Sequence, residues 1–389
     1  MTGPALRGMK TADRTAACLV SLAYLDGIGP ATLRRCHLEH GAEETWSDLL
    51  AGRPERIVPI ATQAARSKAG FTERLVAQAR LRDPAADLAR QLDAGRQVLV
   101  HGRRGYPQRL LADPAAPALL FAEGDLGALL SPGVALVGTR NATLAGRSLA
   151  EEMGADLARC GIAVLSGLAL GIDGAAHRGA LRAGSAPAVA VIASGLDIAY
   201  PRRHLHLQRD LARSGLVISE TPAGVRPDPW RFPARNRILA ALADLVVVVE
   251  SRVAGGSLLT VDEALARGVP VAAVPGHPSA PASAGTNALL YDGASLVRDA
   301  PDVLMILGIT PPVTATEDRA LLAAQPLDPA RRAVLDVLGP TPSSLAEVVA
   351  ETGRTVAEVS HALAGLLADG LVQESQGWYE PSPHIRAAR

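Results

Sequence analysis

The chain has 389 residues, a length that corresponds to two or three domains of ordinary size. Hydrophobic residues make up 48% and charged residues 20%, which is typical of a folded globular protein and excludes an intrinsically disordered one. Lysine plus arginine and aspartate plus glutamate both total 39, so the net charge is zero. This balance argues against bulk attraction to a nucleic acid or a membrane, and a polyanionic partner would require a local basic patch.

Neither membrane insertion nor secretion is indicated by the sequence. The longest apolar runs, such as 245–249, have the length of a strand and fall far short of the roughly 20 residues that span a bilayer. The first 14 residues lack the apolar stretch of a secretory signal. Three widely spaced cysteines without a CxxC pair indicate neither a disulfide framework nor a zinc site. We therefore expect a cytoplasmic protein with no membrane contact.

The segment 1–92 is rich in Ala, Leu and Arg, and it predicts a helical N-terminal domain. Within it, a Gly-Ile-Gly-Pro turn at 27–30 precedes a helical stretch. Such a turn resembles a helix-hairpin-helix, as in SAM-like domains, whose backbone N–H groups can contact a phosphate. An ordinary tight turn between two packed helices is the alternative, and the sequence does not decide between them.

From 93 to 308, short β-branched runs alternate with segments of helical periodicity that close on Gly, such as Gly161 and Gly184. Apolar strands that alternate with helices predict an α/β domain with a Rossmann-like, doubly wound and mainly parallel sheet. Ligands of this fold bind beyond the carboxyl ends of the strands. The predicted strands are 98–100, 134–137, 162–165, 188–192, 216–218, 245–249, 271–274 and 296–297.

A Pro/Thr/Ala-rich segment at 309–327 predicts a linker, and 328–389 predicts a winged helix. Three helical stretches near 328–338, 344–351 and 355–368 precede an apparent hairpin at 371–379. Thr355 and Glu358 have the spacing of a capping box. The third helix contains few cations, whereas a helix that reads duplex DNA normally has several. The composition therefore favours protein contact over duplex recognition for this domain.

Two loops follow predicted strands, and each combines small residues with a hydrogen-bond donor. Gly138, Thr139 and Arg140 follow the strand 134–137, where we expect free N–H groups and the positive end of a helix beside a fixed cation. Ser166 and Gly167 follow the strand 162–165. A plain turn between strand and helix is the alternative for the first loop. Just beyond the second loop, residues 173 and 177 are Asp and His, which could be a metal pair but more simply are a capping Asp and a structural His.

A third block, F-P-A-R-N-R at 232–237, lies in the most basic stretch of the chain. Residues 201–240 contain eight arginines and three acidic residues, a net charge of +5. Phe232 can stack on a base, and Arg235 and Arg237, with Asn236 between them, can hold phosphates at the rim of a pocket. A solvated arginine face is the alternative, but the interleaved Trp230 and Phe232 favour single-strand binding.

The fourth loop contains Gly256 and Ser257 and opens a helix. Several Gly/Ser/Thr loops with arginines at one edge of a sheet predict an anion-binding crevice. The sequence contains no nucleophile–base set, no metal-ligand set and no G-x-x-x-x-G-K-[ST] loop. We therefore expect no catalytic residue, no metal and no cofactor.

Taken in order, the blocks V-A-L-V-G-T-R, S-G-L-A-L-G-I-D-G-A-A-H, Y-P-R-R, F-P-A-R-N-R, G-G-S-L-L-T and V-P-G-H resemble the DNA-processing protein A (DprA/Smf) family over about 95–300. The resemblance implies a non-enzymatic mediator that binds and protects single-stranded DNA, forms a homodimer and loads RecA during natural transformation or recombination. It also implies that Arg140, Ser166, Gly167, Phe232, Arg235, Asn236 and Arg237 line the DNA site. The family often has Ser where this chain has Gly255, which removes one hydroxyl but keeps the turn.

Two other functions are alternatives to a DNA-binding mediator, and each could be distinguished from it by one assay. The run from Gly255 to Glu263 is similar to the phosphate loop of phosphoribohydrolases, in which a carboxylate helps to cleave an N-glycosidic bond, although a Pro and the second loop Gly are missing here. Release of a free base from AMP would identify that enzyme. A transcription regulator that acts through the winged helix would prefer a duplex sequence to random single strands.

Overall fold

The computed structural model describes residues 6, 9–53, 57, 70–309, 327–339, 342–375 and 377–381. Most of the predicted linker, 309–327, lies outside these described residues. No helix in the described part of the chain combines the length and the apolar character that crossing a membrane requires.

The N-terminal part is helical, as predicted. Its helices are α1 (Thr11–Ala23), α2 (Pro30–Arg35), which continues as a π turn (Cys36–His40), α3 (Ala42–Leu50), α4 (Phe71–Arg80) and α5 (Pro84–Asp93). The Gly-Ile-Gly turn lies between α1 and α2, where Leu25 and Ile28 are buried in the packing of the helices. The Tyr24 hydroxyl donates to the carbonyl oxygen of Ala223 at 2.9 Å, which ties this turn to the central domain.

The central domain is built on a large, mainly parallel sheet, so the predicted fold class is confirmed. Within the described residues its strands are β1 (Gln97–Val100), β2 (Leu119–Gly124), β3 (Gly133–Val137), β4 (Ala163–Ser166), β5 (Ala188–Ile192), β6 (Leu216–Ser219), β7 (Leu245–Val248), β8 (Val271–Ala273) and β9 (Ser295–Leu296). They are ordered β1-β2-β6-β5-β4-β3-β7-β8-β9. The seven neighbouring strands β6-β5-β4-β3-β7-β8-β9 are parallel to one another, whereas β1 and β2 form an antiparallel edge.

The strand order reverses between β3 and β7, which makes their carboxyl ends the switch point of a doubly wound sheet. Helices cover both faces: α6 (Gln108–Leu111), α7 (Leu144–Arg159), α8 (Ile172–Ala183), α9 (Leu205–Ser214), α10 (Arg231–Leu242), α11 (Leu258–Leu265), α12 (Ala284–Tyr291) and α13 (Ala300–Ile306). Successive residues of β3 alternate between two apolar cores. Val134 and Leu136 face the core shared with the N-terminal helices, and Ala135 and Val137 face the other.

The C-terminal part contains α14 (Pro329–Val337), β10 (Ser343–Ser344), α15 (Leu345–Thr352), α16 (Val356–Ala368), β11 (Val372–Ser375) and β12 (Trp378–Pro381). These elements are a winged helix, as predicted. Thr355 and Glu358 form the predicted capping box, and Ser344 and Glu347 form a second one. The Ser148 hydroxyl on α7 hydrogen-bonds to the Gln373 side chain on β11, which links the winged helix to the central domain.

The strand β2 was not predicted, and it is the main addition that the structure makes to the sequence-derived fold. Its first residues are Leu and Ala-rich rather than β-branched, and Pro residues precede them closely. The strand forms because β6 offers an antiparallel partner edge, in register from Phe121 with Ser219 to Gly124 with Leu216.

Close packing of α7 on α8 yields a prediction about stability. A Cβ at Gly179 would overlap the carbonyl oxygen of Glu151 on α7, which is backbone and cannot rotate away. We expect Gly179→Ala to lower the free energy of unfolding by about 1–3 kcal/mol or more. Gly29→Ala is the matched control, because no atom lies within 4 Å of its Cβ position. Chemical denaturation of both variants measures the difference, and equal stability would contradict the packing.

Candidate nucleic-acid interface

A continuous crevice lies at the carboxyl ends of β3, β4, β5 and β7. It consists of two adjoining cavities that share Arg140, Ala169, Phe232 and Arg235 in their linings. The first cavity is also lined by Ser194 and Tyr200, among others. The second has a volume of about 570 Å³, and Gly138, Thr139, Asn141, Asp173, Asn236, Arg252, Gly256 and Ser257 line it further. We call this pair of cavities the crevice.

The exposed wall of the crevice is aromatic and cationic. The rings of Tyr200 and Phe232 are tilted against each other with centroids 5.4 Å apart, and the Arg140 guanidinium lies 5.0 Å from the centroid of the Phe232 ring. Arg140 is exposed, and Tyr200 is 46% exposed. These side chains offer flat surfaces beside a positive charge, which is the combination that binds bases and phosphates of a single strand.

Arg235 forms the floor of the crevice, and it is buried rather than solvated at a rim, contrary to the expectation from sequence. It is 8% exposed. Its Nη1 donates to the carbonyl oxygens of Gly167, at 2.7 Å, and Val191, and its Nε donates to Asn236 Oδ1 at 3.1 Å. Burial lowers the pKa of Arg235 to about 10, and nearby Asp173 opposes that shift, so the guanidinium keeps its charge at neutral pH.

The loop that follows β4 is held tightly around this guanidinium. The Asp173 carboxylate accepts hydrogen bonds from the backbone N–H groups of Gly167 and Ala169, at 3.1 and 3.3 Å. Burial raises the pKa of Asp173, while Arg235 and the two N–H donors act in the opposite direction. A Cβ on Gly167 would overlap both Arg235 and Asp173, so only Gly fits there.

Between these residues, buried Leu168 has a φ of 57°, which is unusual for a side chain of this type. His204 Nδ1 lies 3.0 Å from its carbonyl oxygen. A strained residue held by several bonds is a feature of binding sites. The expectation that Asp173 caps a helix is wrong, because α8 begins after Gly171 without a side-chain cap and the Asp173 carboxylate bonds loop N–H groups that precede the helix. His177 is fully buried, and burial lowers its pKa to about 3, so it is neutral. No cluster of three His, Cys, Asp or Glu side chains that could hold a metal occurs among the described residues.

The loop after β3 corrects a second expectation, because three of its N–H groups are already used in hydrogen bonds within the protein. Thr139 N donates to the carbonyl oxygen of Glu250 at 2.8 Å, and Asn141 N donates to the Thr139 hydroxyl at 3.3 Å. Thr143 caps α7, and its own N–H and hydroxyl donate to the buried Glu250 carboxylate. The positive end of α7 thus meets an internal anion, which leaves the Arg140 side chain as the principal anion-binding group of this loop.

Two further predicted residues lie outside the crevice lining. Ser166 is fully buried, and its hydroxyl donates to the carbonyl oxygen of Leu136 at 2.6 Å. Arg237 points away from the crevice, pairs with Glu220 and donates to the carbonyl oxygen of Ala115 at 2.7 Å. Both residues serve the fold in this structure, because their polar atoms are used by neighbours. Ser257 lines the crevice and donates to the Ser251 hydroxyl at 3.0 Å.

Tyr200, Ser194 and Arg252 also line the crevice, and they are not among the site residues predicted from the sequence. Tyr200 belongs to the block Y-P-R-R, which contributes to the family resemblance and was a usable signal. Arg252 follows β7 at the switch point, where a basic residue is informative by position alone.

The different burial of two crevice arginines predicts different effects on folding. Arg235→Ala removes donors from the carbonyl oxygens of Gly167 and Val191, and we expect a loss of at least about 2 kcal/mol in the free energy of unfolding. Arg140→Ala changes an exposed side chain, so its effect should stay within about 0.5 kcal/mol. Chemical denaturation in the absence of DNA compares the two. An Arg235→Ala variant as stable as wild type would show that the guanidinium does not hold the floor of the crevice.

The comparisons with known proteins agree with this architecture. A family model described as DNA recombination-mediator protein A matches residues 97–308, and one described as DprA winged helix domain matches 318–377. The DNA processing protein DprA of Bacillus subtilis is 37% identical over 218 residues, covering 56% of this chain and 73% of the relative. The protein Smf of Synechocystis is 28% identical over 401 residues, covering 94% of this chain and 98% of the relative.

Among solved structures, the crystal structure of DNA processing protein A from Streptococcus pneumoniae matches with a TM-score of 0.62 and 31% identity. The match covers 76% of this chain and 98% of that one. The crevice is therefore set in a fold, a domain order and a sequence context shared with DprA proteins, and the chain belongs to the DNA recombination-mediator protein A (DprA/Smf) family.

Proposed function

We propose that this protein is a cytoplasmic recombination mediator that binds single-stranded DNA in the crevice, protects it and delivers it to RecA. The observation that carries the proposal is the arrangement of Phe232 between Tyr200 and the exposed Arg140 guanidinium. Such a surface can stack on a base and hold the adjacent phosphate. It presents no set of base-edge donors, so binding should tolerate any sequence.

The balance of charge in the crevice supports an anionic ligand. Arg140, Arg235 and Arg252 line it, and Asp173 is the one carboxylate among the described lining residues. Nearby Arg235 and two backbone N–H groups offset the charge of Asp173, so this carboxylate repels a phosphate less than an exposed one would. The remaining excess of positive charge is local, which reconciles DNA binding with a chain of zero net charge.

Homodimer formation and RecA contact are further parts of the proposal, and the family resemblance supports them rather than any residue of this chain. We also propose that the winged helix contacts protein, since its third helix, α16, carries a single titratable base, His361. Whether the pathway served is natural transformation or general recombination depends on the organism. The delivery step can be tested by adding RecA to single-stranded DNA that is either free or already bound by this protein. The measurement is the formation of RecA filaments in the two cases.

Variants of the exposed crevice residues test the binding site. If Arg140 neutralises one phosphate, Arg140→Ala should flatten the slope of log affinity against log salt by about 0.7, and should weaken binding by about 1–3 kcal/mol. Phe232→Ala should weaken binding without changing the slope, because stacking releases no counterions. Fluorescence anisotropy with labelled oligo-dT over a salt series measures both, and single strands should bind more tightly than a duplex of equal length.

The control for charge is Arg213→Ala, which removes one cation from the same basic stretch at a residue that pairs with Asp210 outside the crevice lining. It should bind like wild type. If Arg140→Ala matches this control at every salt concentration, or if the duplex binds as tightly as the single strand, the crevice is not the DNA site.

We propose that the protein is not an enzyme, and the position of Glu263 argues against the phosphoribohydrolase alternative. Its carboxylate pairs with Arg267, which also donates to Asp113, and Glu263 is outside the lining of the crevice. We therefore expect no release of base from AMP, no ATP hydrolysis and no nicking of DNA. Chromatographic assays of the purified protein check this, and turnover that disappears in Glu263→Gln would establish the hydrolase instead.

A further inference from the structure

Another cavity, separate from the two that form the crevice, lies between the N-terminal helices and the central domain. It has a volume of about 1140 Å³. One wall is the turn between α1 and α2, including Gly27, Gly29 and Pro30, and the opposite wall includes Trp230 and Arg231. We call this cavity the groove. It is large enough for a nucleotide, since ligand pockets commonly measure about 300–1,000 Å³.

A small cavity of about 20 Å³, which we call the passage, lies between the groove and the crevice and shares lining residues with each. Ala193 and Arg235 line both the passage and the crevice. Pro30, Trp230 and Arg231 line both the passage and the groove. The passage is too tight for a folded element, but a flexible strand that occupies the crevice can continue along this side of the protein, with single groups entering the groove.

The wall formed by Trp230 is suited to a flat ring. Trp230 is 45% exposed, and the Arg231 guanidinium lies 4.4 Å from the centroid of its ring. Beside it, Arg231 Nε and Glu220 Oε1 are buried without a hydrogen-bond partner among the described residues. One is a donor and the other an acceptor, and the edge of a nucleobase offers both kinds of group.

The charges around the groove decide which part of a nucleotide it accepts. Arg74 and Arg231 line it together with Asp26, Glu220 and Asp228, so cations are not in excess. A phosphate would gain little there, whereas an uncharged base can bury its ring against Trp230. The opposite wall of the groove has no side chain at Gly27 and Gly29, so a base could lie close to its backbone. The space beside Gly29 is open, because no atom lies within 4 Å of its Cβ position.

We propose that the groove binds one base of the same DNA strand that occupies the crevice, with the ring stacked on Trp230 and the edge beside Arg231 and Glu220. This inference rests on the proposed function, because it extends the path of the strand toward the N-terminal helices. It gives the Gly-Ile-Gly turn a role as the wall of a base site, distinct from the phosphate contact of a helix-hairpin-helix.

The test uses the full-length protein and labelled oligo-dT of increasing length. Trp230→Ala should bind long oligonucleotides roughly 5- to 100-fold more weakly than wild type, the range for one lost stacking contact, and should bind the shortest ones equally well. Trp230→Phe keeps a stacking ring and should restore most of the affinity. Trp378→Ala, which removes a tryptophan of similar exposure (48%) from the winged helix, is the matched control and should bind like wild type.

A scan with single abasic nucleotides along one long oligonucleotide locates the base. Wild type should bind more weakly when the abasic nucleotide is at a crevice position or at one separate position. Trp230→Ala should keep the sensitivity at the crevice positions and should no longer be sensitive at the separate position. If Trp230→Ala binds every oligonucleotide like wild type while Phe232→Ala binds weakly, the groove holds no DNA base and the proposed function stands. If wild type binds no single-stranded DNA, both proposals fail.

Discussion

A buried guanidinium organises the carboxyl edge of the sheet in this protein. Arg235 on α10 donates to carbonyl oxygens of β5 and of the loop after β4, so one side chain joins three elements. Burying a cation is costly unless hydrogen bonds compensate for its lost hydration. Here the carbonyl acceptors and nearby Asp173 supply that compensation. The guanidinium also leaves no room for a side chain on Gly167, which precedes Leu168 with its φ of 57°.

The fold was largely predictable because its signals are local. Apolar strands, glycines after helices and the capping box at Thr355 are short-range patterns, and together they specify a doubly wound sheet and a winged helix. The strand β2 was not predictable, since its sequence Leu-Leu-Phe-Ala-Glu-Gly contains no β-branched residue and pairing with distant β6 decides its conformation.

The sequence blocks that line the crevice were predictable, but the contacts of their individual residues were not. Phe232, Arg235 and Arg237 are close in one block, yet the helix α10 directs them to different places: Phe232 to the crevice wall, Arg235 to its floor and Arg237 to Glu220. Basic composition reports only that cations are present, because an Arg that binds phosphate and one that binds a carbonyl oxygen look alike in a sequence. The partner that distinguishes them lies 17 residues away for Arg237 and 68 for Arg235.

The contacts of the loop after β3 constrain the DNA binding that we propose. The loop after β3 resembles a phosphate-binding turn in sequence, but Glu250, more than 100 residues away, accepts the hydrogen bonds from Thr143 that begin α7. Anion binding must therefore come from side chains such as Arg140 and Arg252 rather than from a helix N-terminus. With few cations available, electrostatics alone supplies modest affinity, and aromatic surfaces must supply the rest. In the complex that we propose, the half-buried ring of Phe232 and the exposed rings of Tyr200 and Trp230 then determine how tightly a single strand is held.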